Sequence, residues 1–195
     1  MKRNIPLLLL AAGSSSRMGQ SKQLLDVNGE LLIQRTIKTL LKSELGPVIV
    51  VLGSEEQKHR DAIQHLPVEV VSNSSWQNGM GTSIKKGIQF TDKNYPEAEG
   101  VLISVCDQPH LTSEHLRKLA SAVRGEFSIS ASVYDDIPGV PSIFLKKIFE
   151  ELMGIEDADG AKKIINKIPE RVAQVPFPGG DIDLDTMEDY NTFIS

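Results

Sequence analysis

Arg17 and Lys22 close a stretch of small residues that begins where an apolar run stops: Ala11-Ala12-Gly13-Ser14-Ser15-Ser16-Arg17-Met18-Gly19-Gln20-Ser21-Lys22. Glycine and other small residues let a backbone come close to a ligand, and successive amides can form a concavity for an anion. The Arg17 guanidinium can grip phosphate oxygens as a fork, and the Lys22 ammonium adds a compact positive charge. Together they would neutralise a triphosphate and stabilise charge gathering on a leaving pyrophosphate. Neither of two common phosphate motifs is present. A Walker A loop needs lysine directly after its second glycine, and the dinucleotide fingerprint needs G-x-G. Here Gly19 is followed by Gln20, and Gly13 by three serines. On composition alone, a solvated turn with incidental charges explains the stretch equally well.

A second candidate is Asp107, which ends the run Gly100-Val101-Leu102-Ile103-Ser104-Val105-Cys106 and precedes Gln108-Pro109. A carboxylate at the end of a buried strand, near phosphates, suits Mg²⁺, which takes one or two carboxylates and completes its octahedron with phosphate oxygens and water. The competing role is a helix cap, for which Thr112 or Ser113 is better placed. Cys106 is expected to be a small buried residue with no adjoining histidine to activate it, and His110 a surface loop residue.

Asn73-Ser74-Ser75-Trp76-Gln77-Asn78-Gly79-Met80-Gly81-Thr82-Ser83 joins a strand pattern to a helical one. Gly79 and Gly81 permit close backbone approach, and Thr82 and Ser83 bring hydroxyls to a helix start. A plain capped loop with Trp76 as packing anchor would use the same residues. The acidic tail from Asp181 to Asp189 is expected to be mostly solvated, and it lacks the glycine and distal glutamate of an EF-hand.

These loops need a scaffold. Apolar runs at Ile5–Ala11, Val48–Leu52, Val68–Val71, Val101–Cys106, Ser128–Val133 and Arg171–Val175 predict strands. Helical spacing recurs over Leu32–Leu41, Glu55–Leu66, Thr82–Phe90, Ser113–Val123, Leu145–Met153 and Gly160–Ile168. Asn28-Gly29 between leucine pairs predicts a tight hairpin. The alternation predicts an α/β fold, a mainly parallel sheet covered on both faces. Ligands bind such sheets beyond the strands' carboxyl ends, which points to the loops after Ala11, Val71 and Cys106.

The 195 residues, 40% hydrophobic and 24% charged, suit one domain, residues 1–195, and hold no apolar stretch of bilayer length. A net charge of −5 argues against nucleic acid as a partner. A single cysteine excludes an internal disulfide framework and points to a reducing, cytoplasmic setting. The basic start and Ile5–Ala12 sketch a secretory leader. The run is short and carries Pro6, and a Gly/Ser stretch with two cations follows it, so a retained strand is expected.

Leu10-Ala11-Ala12-Gly13, Ser16-Arg17-Met18-Gly19 and Lys22-Gln23-Leu24-Leu25 together resemble the signature loop of the MobA-like nucleotidyltransferases, more narrowly the molybdenum cofactor cytidylyltransferase branch. Cys-Asp-Gln-Pro at 106–109 is similar to that family's metal motif, W-x-x-G-M-G-x-S at 76–83 to its second nucleotide segment, and Gly139–Phe144 to a turn facing the second substrate. Asp183-Leu184-Asp185-Thr186-x-Glu188-Asp189 resembles D-I-D-T-P-E-D, with Met187 in place of proline. The resemblance implies a Rossmann-like three-layer sandwich of the nucleotide-diphospho-sugar transferase type. It implies nucleotide contacts from Leu10, Ala11, Ala12, Gly13, Asn73, Gly79 and Ser83, with Arg17 and Lys22 on phosphates. It places Mg²⁺ on Asp107 and Asp185. The implied reaction is attack of a molybdopterin phosphate on the α-phosphate of CTP; Ala12, where guanylyl relatives carry glycine, points to CTP. Guanylyl transfer, another phosphorylated acceptor, and a noncatalytic sensor or insertion factor serving a molybdenum enzyme are the alternatives.

Overall fold

A computed structural model describes residues 4–15 and 18–194. The first strand, β1 (Leu7–Ala11), is buried along its whole length because its side chains feed two cores. Leu7 and Leu9 face one cluster while Leu8 and Leu10 face the other, as the two-residue period of a strand demands. A leucine buried in this way contributes roughly 1.5–3 kcal/mol, so a strand clad on both sides anchors the fold.

After β1 the chain makes a small antiparallel hairpin, β2 (Asp26–Val27) and β3 (Glu30–Leu31). Asn28 and Gly29 both take positive φ in its turn, as the Asn-Gly pair predicts. Next come α1 (Leu32–Ser43), β4 (Val48–Leu52), α2 (Glu56–Ile63), β5 (Glu69–Ser72), α3 (Met80–Asn94) and β6 (Gly100–Val105). The rest is α4 (Ser113–Ala122), β7 (Ile129–Tyr134), β8 (Ile137–Leu145), α5 (Phe149–Met153), α6 (Lys162–Lys167), β9 (Val172–Pro176) and α7 (Met187–Ile194). Seven strands form one sheet in the order β5-β4-β1-β6-β8-β7-β9, parallel except for β8. Ile33, Ile37 and Leu40 of α1 share one core with Leu116 and Leu119 of α4. Ile84 and Ile88 of α3, Leu152 of α5 and Ile164 of α6 share the other. The result is the expected three-layer sandwich.

The chain moves outward from β1 to β4 and β5, then returns to place β6 on the other side of β1. That reversal opens a crevice beyond the carboxyl ends of β1 and β6. The residues after Ala11 and after Val105 therefore meet.

Two expectations fail. Gly139–Phe144 is not a turn: it lies within β8, paired to both β6 and β7. Its Gly and Pro residues mimic turn punctuation. The ladder to β7 skips from Ser142 to Gly139, so Val140 and Pro141 sit in an irregularity, where a missing donor is tolerated. The helix read from Leu145 starts one residue later, as a 3₁₀ turn over Lys146–Ile148 that runs into α5, because Leu145 still belongs to β8. Most of the acidic tail is exposed, as its charge suggests, and Leu184 is the exception. Leu184 is fully buried against Val27 and Leu32, with α7 packed beside it through Tyr190 and Phe193.

Candidate active site

Leu10, Ala12, Gly13 and Ser14 form one wall of a cavity of about 330 Å³ above the ends of β1 and β6. Lys22, Gln23, Val105, Cys106 and Asp107 also line it, and Trp76, Gln77, Gly79, Met80 and Ser83 complete the opposite side. Ala11 is buried in the strand beneath and Asn73 is buried behind the lining. Arg17 lies outside the described residues.

A β-carbon on Gly13 would meet nothing within 4 Å, so glycine there keeps the cavity wall open rather than relieving a clash in the protein. Gly13→Ala is therefore expected to leave thermal stability within about 0.5 kcal/mol of the parent. Nucleotide affinity should fall by about tenfold, about 1.4 kcal/mol, as the methyl takes ligand space. Paired thermal melts and nucleotide titrations check this, and unchanged affinity would remove Gly13 from the ligand surface.

At the cavity floor the Lys22 ammonium lies 2.5 Å from Asp107 Oδ2 and 2.9 Å from Asp185 Oδ1. Asp107 follows β6, and its backbone carbonyl accepts a hydrogen bond from Leu184 N at 3.0 Å. Because Leu184 is anchored in its own apolar cluster, this bond brings Asp185 from the distant tail to the site. Burial by itself would lower the Lys22 pKa, but Asp107 and then Asp185 outweigh it and raise the group above its ordinary value. Asp183 stands in the same cluster. Burial, then Asp107 and Asp185, push its carboxyl up to about 7, against the pull of Lys22. The locality carries excess negative charge and would welcome a cation.

A divalent ion fits these residues. Asp107 Oδ1 is buried and has no hydrogen-bond partner among the described residues, while its other oxygen already shares a cation with Asp185. Among the described residues no group of three or more metal-ligating side chains gathers. Two carboxylates, with phosphate oxygens and water completing the shell, is the donor set that Mg²⁺ prefers.

The second segment departs from the expected picture in a useful way. Asn73 Nδ2 donates to Thr82 Oγ1 at 2.8 Å and to Ser83 Oγ at 2.9 Å, while its Oδ1 accepts from Ser75 N at 3.0 Å. Its amide thus ties the loop to the start of α3 and sets the Ser83 hydroxyl at the cavity. Gly79 and Gly81 do permit close approach, but the approaching group is the protein's own backbone. β-Carbons there would lie 2.3 Å from Asp157 O and 2.2 Å from Glu156 O. Lys85 holds Asp157 by an ion pair at 2.8 Å. Trp76 lines the cavity.

Cys106 lines the cavity but is 3% exposed, and burial pushes its thiol up to about 12, so it is no nucleophile at neutral pH. His110 is exposed and packs edge-on against Phe193 at 5.5 Å between centroids. Thr112 caps α4 by accepting from His115 N at 3.2 Å, leaving Asp107 clear of that task.

Gln23 and His59 emerge only from the structure. Gln23 is 2% exposed, with its amide under the Ala11–Ser15 backbone, and His59 of α2 is fully buried beneath Ser21. The one sequence signal is a polar residue wedged between Lys22 and the Leu24-Leu25 pair.

The sheet order, with a small-residue loop after β1 and a carboxylate after β6, is a fold shared with solved nucleotidyltransferase structures. More narrowly, the chain belongs to the MobA-like NTP transferase domain family, which matches residues 7–173. It is 29% identical to purine catabolism protein PucB of Bacillus subtilis (strain 168), over 94% of this chain and 93% of that protein. It is 23% identical to the molybdenum cofactor cytidylyltransferase of Escherichia coli (strain K12), over 96% and 94% of the two chains. Rv0371c of Mycobacterium tuberculosis H37Rv shares the fold, with a TM-score of 0.84 at 24% identity over 100% of this chain and 99% of that one. Its manganese complex gives 0.81 at 24% identity, covering 98% of each chain. No helix among the described residues is long and apolar enough to cross a membrane.

Proposed function

We propose that this chain, acting as one cytoplasmic domain, transfers CMP from CTP to molybdopterin and releases pyrophosphate, with Mg²⁺ as its ion. The observation that carries the reading is Lys22 lying between Asp107 and Asp185 at the floor of a cavity walled by Gly13. A terminal phosphate of the acceptor attacks the α-phosphorus while the bond to the β-phosphate breaks, and pyrophosphate leaves with the electron pair. The attacking phosphate is already anionic. The site therefore needs alignment and charge stabilisation rather than a strong base. Asp107 and Asp185 would hold the ion, which when bound neutralises charge on the phosphates. Lys22 and Arg17 bind the triphosphate and the departing pyrophosphate. Leu10, Ala11, Ala12 and Gly13 shape one side of the nucleotide site, and Asn73, Gly79 and Ser83 shape the other.

The full-length likeness to the Escherichia coli cytidylyltransferase supports the base and acceptor. The manganese complex of the mycobacterial protein supports a divalent ion. Incubating the purified protein with Mg²⁺, CTP and molybdopterin should yield pyrophosphate and the dinucleotide product. Thermal-shift titration should show stabilisation by CTP over GTP. Selective stabilisation by GTP would overturn the base and favour guanylyl transfer. The Bacillus subtilis relative, matched along nearly its whole length, is named for purine catabolism. A nucleotide-binding factor that helps insert cofactor into a molybdenum enzyme is the second reading; nucleotide binding without pyrophosphate release would select it.

A further inference from the structure

The nucleotide loop is held from below by one amide. Gln23 Nε2 donates to Gly13 O at 3.1 Å and reaches Ala11 O at 3.5 Å. Its Oε1 accepts from Ser15 Oγ at 3.0 Å and from Ser21 Oγ at 2.8 Å. The amide cannot be turned over, because carbonyls only accept and would face an oxygen. Ser15 spends its single proton on Gln23 and uses its oxygen to accept from Lys22 N at 3.0 Å. Ser15 also takes a left-handed backbone, φ 51°, which an L-residue adopts only when its surroundings hold it there.

The same proton count extends one residue further. Ser21 also gives its proton to Gln23, so the 2.6 Å contact between Ser21 Oγ and His59 Nε2 requires the imidazole to donate. His59 Nε2 therefore carries a proton, and burial, which outweighs the raising effects of Glu55 and the Ser54 backbone, lowers the pKa of the ring. A line of hydrogen bonds thus runs from α2 through Ser21 and Gln23 to the carbonyl of Gly13 and the amide of Lys22.

We propose that Gln23 is the positioning residue of the nucleotide loop, holding the Ala11–Ser15 backbone and the Lys22 segment in one geometry, with His59 acting through Ser21 to fix its amide. The proposal rests on the reading of this loop as the nucleotide site. It assigns Gln23 an effect on nucleotide affinity that ordinary core packing would not give.

Gln23→Glu tests it. The replacement keeps the size and accepts both serine protons, but offers no donor to the Gly13 carbonyl and sets oxygen against oxygen. Trp76 is the only tryptophan and lines the cavity, so its fluorescence reports nucleotide binding directly. Titration with CTP and Mg²⁺ should show affinity at least about tenfold weaker than the parent, equivalent to about 1.4 kcal/mol. In the transfer assay, KM for the nucleotide should rise while KM for the acceptor stays unchanged. A merely structural residue would lower the melting temperature and the active fraction, and hence apparent kcat, with nucleotide affinity intact; that result overturns the proposal. Should Gln23→Glu fail to fold, Ser15→Ala decides, since it removes one donor to the amide and the acceptor for Lys22 N at a half-buried site. A roughly threefold or greater loss of affinity supports the proposal, and none overturns it. A parent protein whose Trp76 responds to no nucleoside triphosphate would instead overturn the nucleotide reading, and this inference with it.

Discussion

Asp107→Asn should reduce pyrophosphate release about a thousandfold or more while leaving the protein folded, since removing charge at a phosphoryl-transfer centre costs this much. The substitution is isosteric, and the hydrogen bond that Asp107 receives from Leu184 uses its backbone carbonyl, so the tail stays docked. Lys22 retains Asp185 as a partner at 2.9 Å. The lost ion pair is also offset, because Asp107 is one of the carboxylates whose charge burdens Asp183. The net change in stability should lie within about 1 kcal/mol. Binding of Mn²⁺ should fall in parallel with turnover, because the buried Oδ1 without a partner becomes part of a neutral amide. Pyrophosphate release, thermal melts and a Mn²⁺ titration on one preparation make the test. Turnover within tenfold of the parent would end the assignment of Asp107 to the reacting phosphates.

The scaffold was readable in the sequence wherever burial writes a pattern. Continuous apolar runs such as Leu7–Ala11 and Val48–Leu52 mark strands covered on both faces, and amphipathic spacing marks α1 and α4. Reading failed where local chemistry and tertiary pairing disagree. Gly139–Phe144 resembles a family turn, yet the ladders to β6 and β7 impose a strand with an irregularity at Val140 and Pro141. The same limit applies at the site. Lys22 could be singled out because it closes a small-residue loop, and Asp107 because it ends a buried strand. The direct contact of Lys22 with Asp185, across 163 residues of chain, depends on Leu184 finding the apolar cluster of Val27 and Leu32. Gln23 falls inside the signature loop but its role does not follow from it, and His59 carries no motif, because a buried hydrogen-bond line is a property of geometry and leaves no period in the sequence.

Lys22→Met should separate two duties that the site gives to one ammonium. The parent lysine is the cation shared by Asp107 and Asp185 in the free protein, and in the proposed reaction it also binds the triphosphate. Asp107 and Asp185 would hold a divalent ion beside the ammonium, whose positive charge opposes it. Phosphate oxygens would give the ammonium a further partner. Two unit charges 4 Å apart interact by about 4 kcal/mol at an effective dielectric constant near 20, so removing the competing cation is a large local change. Methionine keeps an unbranched apolar stem and deletes the charge. Without nucleotide, the variant should therefore bind Mn²⁺ more tightly than the parent, by about tenfold or more once solvent screening is allowed for. With nucleotide present, turnover should drop about a hundredfold or more, because one of the groups stabilising the leaving pyrophosphate is gone. The opposite signs of the two effects are the point of the measurement. Mn²⁺ binding followed by the loss of free-ion EPR signal reports the first, and pyrophosphate release reports the second. Reduced turnover with unchanged Mn²⁺ affinity would leave Lys22 as a phosphate ligand and remove its role as a cation that opposes the metal.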